Sequence, residues 1–489
     1  MTPITMTAIT LQERQRMATI YQKSQLRFVH YYGQVAEQYQ TDYRHLDREQ
    51  ENLFQFFAIA LQVQALPLYA QTLNCLYPYL EVRGLFNSTQ RLFQGLLQSN
   101  NVTAVIEPAV LAATYIHFST LLAKSSDLPA AREFAESGLQ LAMVPYNAQN
   151  HAAACLQLGR VTMQSGQYPA AERLLQVGLG IVQEHNLSAL YCSAHMALGA
   201  VAYFQGNYQQ AQNTFQLALQ IADQTEQADL KIEILRNLSS LAGVQGDFSQ
   251  SEQYCREALV VAKMLDHRVG ICMLLRNLGA ALLSRGALTE AEAYLQEGLL
   301  LARDIGHIEV MVGILNNLGV LANERKDFAA TAAYWQEGLR LERELGDLER
   351  ARGLLTNLGV LATVQANDEQ AIIYLNEALA LAEQLHTPVA LADTQVGWGK
   401  LYLKRQQFVQ AVSAYQAALT AAQPLGLPDI VGDALFGLAQ ATWGLGEEQQ
   451  ARAFAIQSLQ LLEAVQLPTA QEVCDWLQAL PVGAVNSTI

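Results

Sequence analysis

Positive charge is scarce in this sequence. Lysine and arginine number 30 against 45 aspartates and glutamates, a formal net charge of −15 over 489 residues. That balance argues against a nucleic-acid partner, whose phosphate backbone demands a basic stripe. Long hydrophobic runs are also missing. The most apolar stretch, Phe54 to Leu76, is broken by Gln55, Gln62, Gln64, Pro67 and Gln71, whereas a membrane span takes roughly 20 nearly uninterrupted apolar residues. The opening Met1-Thr2-Pro3-Ile4-Thr5-Met6 lacks the basic-then-apolar order of a secretory leader. No membrane partner and a cytoplasmic location are therefore expected. Cysteine is sparse and unpatterned: Cys75, Cys155, Cys192, Cys255, Cys272 and Cys474 include no C-x-x-C pair. They read as small apolar fillers in a reducing compartment, not staples or metal ligands.

Catalytic signatures are absent as well. The sequence holds no H-E-x-x-H, no G-x-S-x-G elbow and no G-x-x-x-x-G-K-[ST] phosphate loop. A protein that is not an enzyme, with no cofactor and no metal, is expected. The 9 histidines are scattered. His267 and His307 share one repeat position and His386 lies a place away, and they are expected to be solvent-facing loop residues.

What is present is repetition. Arg276-Asn277-Leu278-Gly279-Ala280-Ala281-Leu282-Leu283-Ser284-Arg285-Gly286 reads as a helix ending in a tight turn, and Ala287-Leu288-Thr289-Glu290-Ala291-Glu292 opens a second helix. Gly159, Gly199, Gly279, Gly319, Gly359 and Gly399 fall on one register with a period of 40. A fixed period of this size means a solenoid. Each unit carries leucine before the small residue (Leu158, Leu198, Leu238, Leu278, Leu318, Leu358 and Leu438, with Trp398 substituting). The small residue is expected to let a neighbouring helix backbone approach, offsetting the cost of glycine in a helix, about 1 kcal/mol against alanine. Turns follow at Gly166-Gln167-Tyr168, Gly206-Asn207-Tyr208 and Gly246-Asp247-Phe248, with Lys326-Asp327-Phe328 as a variant lacking glycine. The second helix brings Ala171, Ala211, Ala291, Ala371, Ala411 and Ala451 to the crossing point.

On Gly199, Gly206, Tyr208, Ala211, Phe215 and Ala218 the chain resembles the tetratricopeptide repeat family, with a period longer than that family's usual ~34 residues. The resemblance implies an all-α fold: a TPR-type α-solenoid, a right-handed superhelix of antiparallel helix pairs. The expected organisation is an N-terminal helical segment over 1–70, a degenerate repeat over 71–110 and nine repeats over 111–470. A capping helix over 471–480 and a flexible tail over 481–489 complete it. In the N-terminal segment, Asp47 is expected to cap a helix with Gln50 in the reciprocal position. Met17, Ile20, Tyr21, Phe28, Val29 and Tyr32 mark an earlier helix, with Arg14, Arg16, Lys23 and Arg27 on a solvated face.

The informative polar feature is a ladder. Asn237, Asn277, Asn317 and Asn357 recur immediately before the small position of four successive repeats, with Arg236, Arg276 and Asn316 one residue earlier. Asparagine is a middling helix former, so propensity does not explain four in register. Its amide offers the donor and acceptor that a peptide backbone presents. Neighbouring helices lie roughly 10 Å apart and an extended chain advances ~3.3 Å per residue, so one asparagine per repeat meets about every third ligand residue. In the family this face lines the concave groove, which makes Arg236, Asn237, Arg276, Asn277, Asn316, Asn317 and Asn357 candidate peptide-binding residues. The arginines would favour acidic groups on a protein or peptide partner. The alternative for the asparagines is that they bond to one another or to the next repeat and fix the stacking. Glu233, Glu324, Asp393, Asp433, Lys400 and Lys404 are further candidates for the same side.

Leu46-Asp47-Arg48-Glu49-Gln50-Glu51-Asn52-Leu53 and Tyr79-Leu80-Glu81-Val82-Arg83-Gly84 are similar to the helices that lead into the repeat sensors of bacterial STAND-type regulatory ATPases. The functional expectation is a non-catalytic scaffold or adaptor that binds a protein or peptide in its groove. A regulatory subunit acting in trans with a STAND-type ATPase or other signalling partner, and a structural homo-oligomer, are the alternatives.

Overall fold

The computed structural model describes residues 11–125, 127–425, 427–464 and 469–480, and the tail expected over 481–489 lies outside them. Among the described residues the chain is helical throughout, with no strand. It is a TPR-type α-solenoid of antiparallel helix pairs. Four helices come first: α1 (Leu11–Gln38), α2 (Tyr43–Gln62), α3 (Leu66–Val82) and α4 (Phe86–Leu97), followed by the single turn α5 (Val102–Val105). Nine pairs then follow among the described residues. They are α6 (Pro108–Lys124) with α7 (Leu128–Met143), α8 (Ala148–Gln164) with α9 (Tyr168–Glu184), and α10 (Ser188–Phe204) with α11 (Tyr208–Gln224). Next come α12 (Ala228–Val244) with α13 (Phe248–Met264), α14 (Arg268–Ser284) with α15 (Leu288–Ile305), and α16 (Ile308–Glu324) with α17 (Phe328–Leu345). The last are α18 (Leu348–Val364) with α19 (Asp368–Leu385), α20 (Pro388–Lys404) with α21 (Phe408–Ala422), and α22 (Pro428–Gly444) with α23 (Glu448–Ala464). Helix α24 (Thr469–Ala479) lies on the final pair, where Val473 is buried and Trp476 meets Phe436 and Trp443 edge-on.

The 40-residue period has a simple origin. Helices such as α8, α9, α10 and α11 are 17 residues long, and three-residue connectors join them. The middle residue of such a connector sits in the left-handed region: Gly166, Gly206, Gly246, Gly286 and Gly446 in one set, Asn186, Glu226 and Asp266 in the other, while Gly306, Gly346 and His386 hold it as the first residue of a two-residue connector after an 18-residue helix. Its amide and the next one fold back onto the helix, as Gly206 N to Tyr203 O and Asn207 N to Ala202 O do. Lys326, Ala366 and Gln406 hold this conformation without glycine.

The recurrent glycine inside each first helix serves a side chain, not the backbone approach expected from sequence. A Cβ on Gly279 would stand 2.5 Å from Leu295, on Gly199 2.7 Å from Phe215, and on Gly399 2.5 Å from Tyr415. Each partner is a large residue of the paired second helix. The glycine is the socket that lets it reach the pair's core, which is why the buried side chains can be this bulky while Ala211, Ala291 and Ala411 keep the helices close.

The chain divides into two compact units, Met1–Leu241 with Glu257–Ile271, and Ala242–Arg256 with Cys272–Ile489. In the first, consecutive first helices touch (α3 on α6, α6 on α8, α8 on α10), and so do α18, α20 and α22 in the second. Among the described residues, comparable contacts between second helices are seen for α2 on α4. Each unit therefore bends with its first helices on the inner side.

The N-terminal helices depart from expectation in two ways. Helix α2 begins at Tyr43 because Asp42 accepts from His45 N and caps it, so Asp47 lies inside the helix. There Asp47 receives two hydrogen bonds from Arg83, at 2.9 and 2.8 Å, and one from the Tyr79 hydroxyl at 3.0 Å. Arg83 continues across the first unit to the carbonyls of Leu265 (3.3 Å) and Asp266 and the Asp266 carboxylate (3.4 Å), while Tyr43 donates to Asp229 at 3.4 Å. The start of the unit is thus bonded to its end. Second, of the expected stripe on α1, Met17, Ile20 and Tyr21 are exposed, while Val29 is buried and Phe28 and Tyr32 pack against the core, joined by Val35 and Ala36.

Candidate functional site

In the second unit, α14, α16 and α18 carry the predicted residues Arg276, Asn277, Asn316, Asn317 and Asn357, all half-buried. The guanidinium of Arg276 donates to Asn277 Oδ1 through Nε (3.3 Å) and Nη2 (3.2 Å). Its stem lies over Gly313 of the next first helix, where a Cβ would meet Arg276 Cδ at 2.8 Å. Asn317 Nδ2 donates to the Arg276 carbonyl at 3.4 Å, a bond between successive repeats. The Asn316 carbonyl accepts from the Trp335 indole at 3.3 Å. Asn357 bonds to no other described residue. One ladder asparagine therefore bridges repeats, and another is oriented by the arginine beside it.

The ladder has sharp edges. Of the column Gln157, Ala197, Asn237, Asn277, Asn317, Asn357, Gly397 and Gly437, only the four asparagines are half-exposed and the rest are buried. Gln157 turns inward to donate to Ser119 at 3.2 Å. A Cβ on Gly397 would stand 2.9 Å from Leu375, and on Gly437 2.2 Å from Tyr415, so those positions are filled by neighbouring side chains.

Charged groups flank this face. Arg352, buried, bridges Glu349 (2.7 Å) and Asp393 (2.6 Å) and reaches Thr394 at 3.3 Å. Lys400 pairs with Asp433 at 3.1 Å. Burial would raise the Glu309 carboxyl, yet its hydrogen bond from Arg350 and the charges of Arg350, His307 and Arg276 hold it below the usual carboxylate range. Glu324 is exposed. Arg352 was not legible as part of the site, since its position repeats no pattern.

In the first unit, Arg236 and Asn237 lie half-buried on α12. The column that Asn237 continues runs back through Ala197 and Gln157 to His117 on α6, whose ring stacks on Tyr77 of α3 at 4.6 Å. Burial lowers the His117 imidazole to about 4, so it is neutral at pH 7. Lys124 pairs with Glu81, and Arg160 donates to Ser193 Oγ. Burial opposes ionisation of Glu233, but Lys124, Arg236, Arg160 and His267 hold its carboxyl below the usual range. Arg236, Asn237 and Glu233 were candidates from the sequence, whereas Tyr77, His117, Lys124 and Arg160 were missed, because they fall in repeats where no residue type recurs.

Of the three histidines expected in solvent, His386 is exposed, whereas His267 and His307 are buried at 9% exposure each. Both sit at the start of a first helix, and His267 Nδ1 accepts from Gly270 N at 3.0 Å as a cap. A capping side chain folds over the helix end, which buries it. Among the described residues no group of His, Cys, Asp and Glu has the arrangement of a metal site, and no helix is long and apolar enough to cross a membrane.

Comparison with known proteins agrees with this architecture. Residues 190–259 and 272–305 match the tetratricopeptide repeat family. No curated protein matches the chain. Among solved structures it is similar to a Rap protein complexed with Competence and Sporulation Factor, at 14% identity and a TM-score of 0.56 over 73% of this chain and 99% of that one. It also aligns with the Rap conjugation gene regulator of the plasmid pLS20, at 15% identity and a TM-score of 0.49 over 77% of this chain and 98% of that one. Aspartyl phosphate phosphatase F from Bacillus subtilis aligns at 12% identity and a TM-score of 0.43 over 86% and 97%. Residues 190–259 and 272–305 thus carry tetratricopeptide repeats, and the described helix pairs on either side continue the same solenoid architecture.

Proposed function

We propose that the chain is a protein- or peptide-binding scaffold without a reaction of its own, and that the second unit grips an extended peptide along Arg276, Asn277, Asn316, Asn317 and Asn357. Arg236 and Asn237 offer the same pair of side chains on the first unit. The observation that carries this reading is the run of four successive half-exposed asparagines, while Gln157, Ala197, Gly397 and Gly437 on either side of it in the column are buried or filled. A ladder kept only for stacking would have every member bonded between repeats, as Asn317 is, and Asn357 is not. Arg276 and the unmatched amide of Asn357 suit a ligand with acidic side chains and a regularly spaced backbone. The Rap protein of the same fold was solved with Competence and Sporulation Factor, which supports the fold as one that receives a partner.

The test is selection of random peptides on the immobilised full chain, followed by affinity measurement against Arg276→Ala/Asn277→Ala/Asn357→Ala. At about 1 kcal/mol per lost contact the triple change should weaken binding roughly hundredfold. Melting curves of both proteins establish that the variant is folded. Peptides that bind the folded variant as tightly as the wild type would sink the proposal, as would failure to enrich any peptide.

A further inference from the structure

The inner side of the first unit carries a second polar site, distinct from the asparagine face. Tyr77 is 4% exposed, and its hydroxyl is buried without a hydrogen-bond partner among the described residues. The ring cannot swing to find one. It is stacked on His117 at 9° between planes, and His117 is itself held to Asn74 at 3.3 Å. The hydroxyl stands within the fields of Glu81, Glu233 and Arg160.

Those charges are unevenly satisfied. Lys124 and Glu81 neutralise each other in an ion pair. Arg160 gives one N–H to Ser193 Oγ and makes no ion pair with a described residue. Glu233 feels Lys124, Arg236 and Arg160 but pairs with no described cation either. Arg160 and Glu233 sit on α8 and α12, with α10 between them in the chain, and each lies within the electrostatic field of the other without forming an ion pair. A guanidinium and a carboxylate without ion pairs and an orphaned phenol thus lie within electrostatic range of one another on the first unit. An anion there would answer Arg160 and Tyr77 and be repelled by Glu233, and a cation would do the reverse. A molecule bearing both charges answers all three.

We propose that the first unit binds a zwitterion, a free amino acid or a short peptide, whose carboxylate is received by Arg160 and the Tyr77 hydroxyl and whose ammonium is received by Glu233. Charge-assisted bonds to the guanidinium and the carboxylate set the orientation, and the phenol hydroxyl adds a neutral donor that selects a carboxylate over a rounder anion. This site does not rest on the asparagine reading, since no ladder residue of the second unit takes part.

The test uses the full chain with glycine, triglycine, N-acetyltriglycine and triglycinamide at millimolar concentration, read by saturation-transfer NMR and calorimetry. Binding of glycine in preference to triglycine identifies an amino-acid site, and the reverse preference a peptide site. Blocking either end of triglycine should weaken binding about tenfold. Arg160→Gln should erase the difference between triglycine and its amide, and Glu233→Gln the difference between triglycine and its acetylated form. Tyr77→Phe, which removes one oxygen and keeps the ring stacked, should weaken binding severalfold with melting unchanged, and it decides the matter if a charge variant fails to fold. The proposal is overturned if neither glycine nor triglycine binds, if blocked and free ends bind alike, or if Tyr77→Phe binds as the wild type does.

Discussion

Replacing Arg83 by methionine would cut the bond between the start and the end of the first unit while keeping the stem that packs beside it. Arg83 is 7% exposed and lies 5.8 and 5.9 Å from the ring centres of Tyr43 and Tyr79. Its loss strands the two carbonyl oxygens of Leu265 and Asp266 and the carboxylate of Asp47. Breaking a fully buried pair from one side costs about 3–5 kcal/mol. Here the side chains of Asp47 and Asp266 are 39% and 65% exposed, so water recovers part of that. A loss of roughly 2–3 kcal/mol follows, most of it from the carbonyls, which lose a charged donor. In a solenoid each repeat is otherwise stabilised by its immediate neighbours alone, so the loss should fall on α1 to α4 and on the connector at 265–267. Hydrogen exchange resolved by mass spectrometry is the assay. Amides of α2 and α3 should exchange about 30- to 150-fold faster, the equivalent of 2–3 kcal/mol, with α18 to α23 unchanged. Arg83→Lys, which keeps the charge and loses the fork, should fall between. Unchanged exchange in α2 and α3 would refute the claim that this contact stabilises the N-terminal helices.

Two further outcomes follow from buried groups of the second unit. Gly319→Ala places a methyl 2.2 Å from Trp335 Nε1 and must displace the indole from the Asn316 carbonyl; overpacking of about 1–3 kcal/mol plus the lost bond exceeds the roughly 1 kcal/mol of helix propensity regained, so the melting temperature should fall and indole emission shift red. No shift in either quantity would contradict the socket role of this glycine. Glu342 is fully buried, neither carboxylate oxygen has a hydrogen bond, and Arg350 stands 3.7 Å away. Burial raises its carboxyl to about 7, with Asp347 and Glu309 adding to the rise and Arg350 opposing it. A folded value above the unfolded 4.5 means stability present below pH 4.5 and lost as pH rises through 7, by about 3 kcal/mol in total. Denaturant titrations should show that decline in the wild type and not in Glu342→Gln; parallel pH profiles would dismiss it.

The period, the helix pairs and the turn positions were legible because each rests on local chemistry repeated many times over. A glycine in the left-handed region, or a leucine before a glycine, says the same thing in every repeat, and repetition averages out exceptions. What was misread depends on partners far along the chain. Asp47 followed by Gln50 has the form of a cap, yet the same spacing inside a helix is common, and the residue that claims Asp47 is Arg83, 36 positions later. His267 and His307 sit in connectors, where polarity suggests solvent, but both lie buried at a helix start, and His267 caps it. The asparagine ladder was found by its spacing. The group around Tyr77 and Arg160 was not, because it is assembled from different residue types on successive helices, and only the bend of the unit brings them to one side.

The distribution of tryptophan has a practical consequence. Trp335, Trp398, Trp443 and Trp476 are the 4 indoles of the chain, and all lie in the second unit. Trp335 is bonded to the backbone of Asn316, within the face proposed to hold a peptide. The protein therefore contains its own fluorescent label on one unit and none on the other. A ligand that settles along the asparagines should alter intrinsic emission, and a zwitterion seated by Tyr77 should leave it unmoved, so the two occupancies can be read apart in one cuvette without any dye.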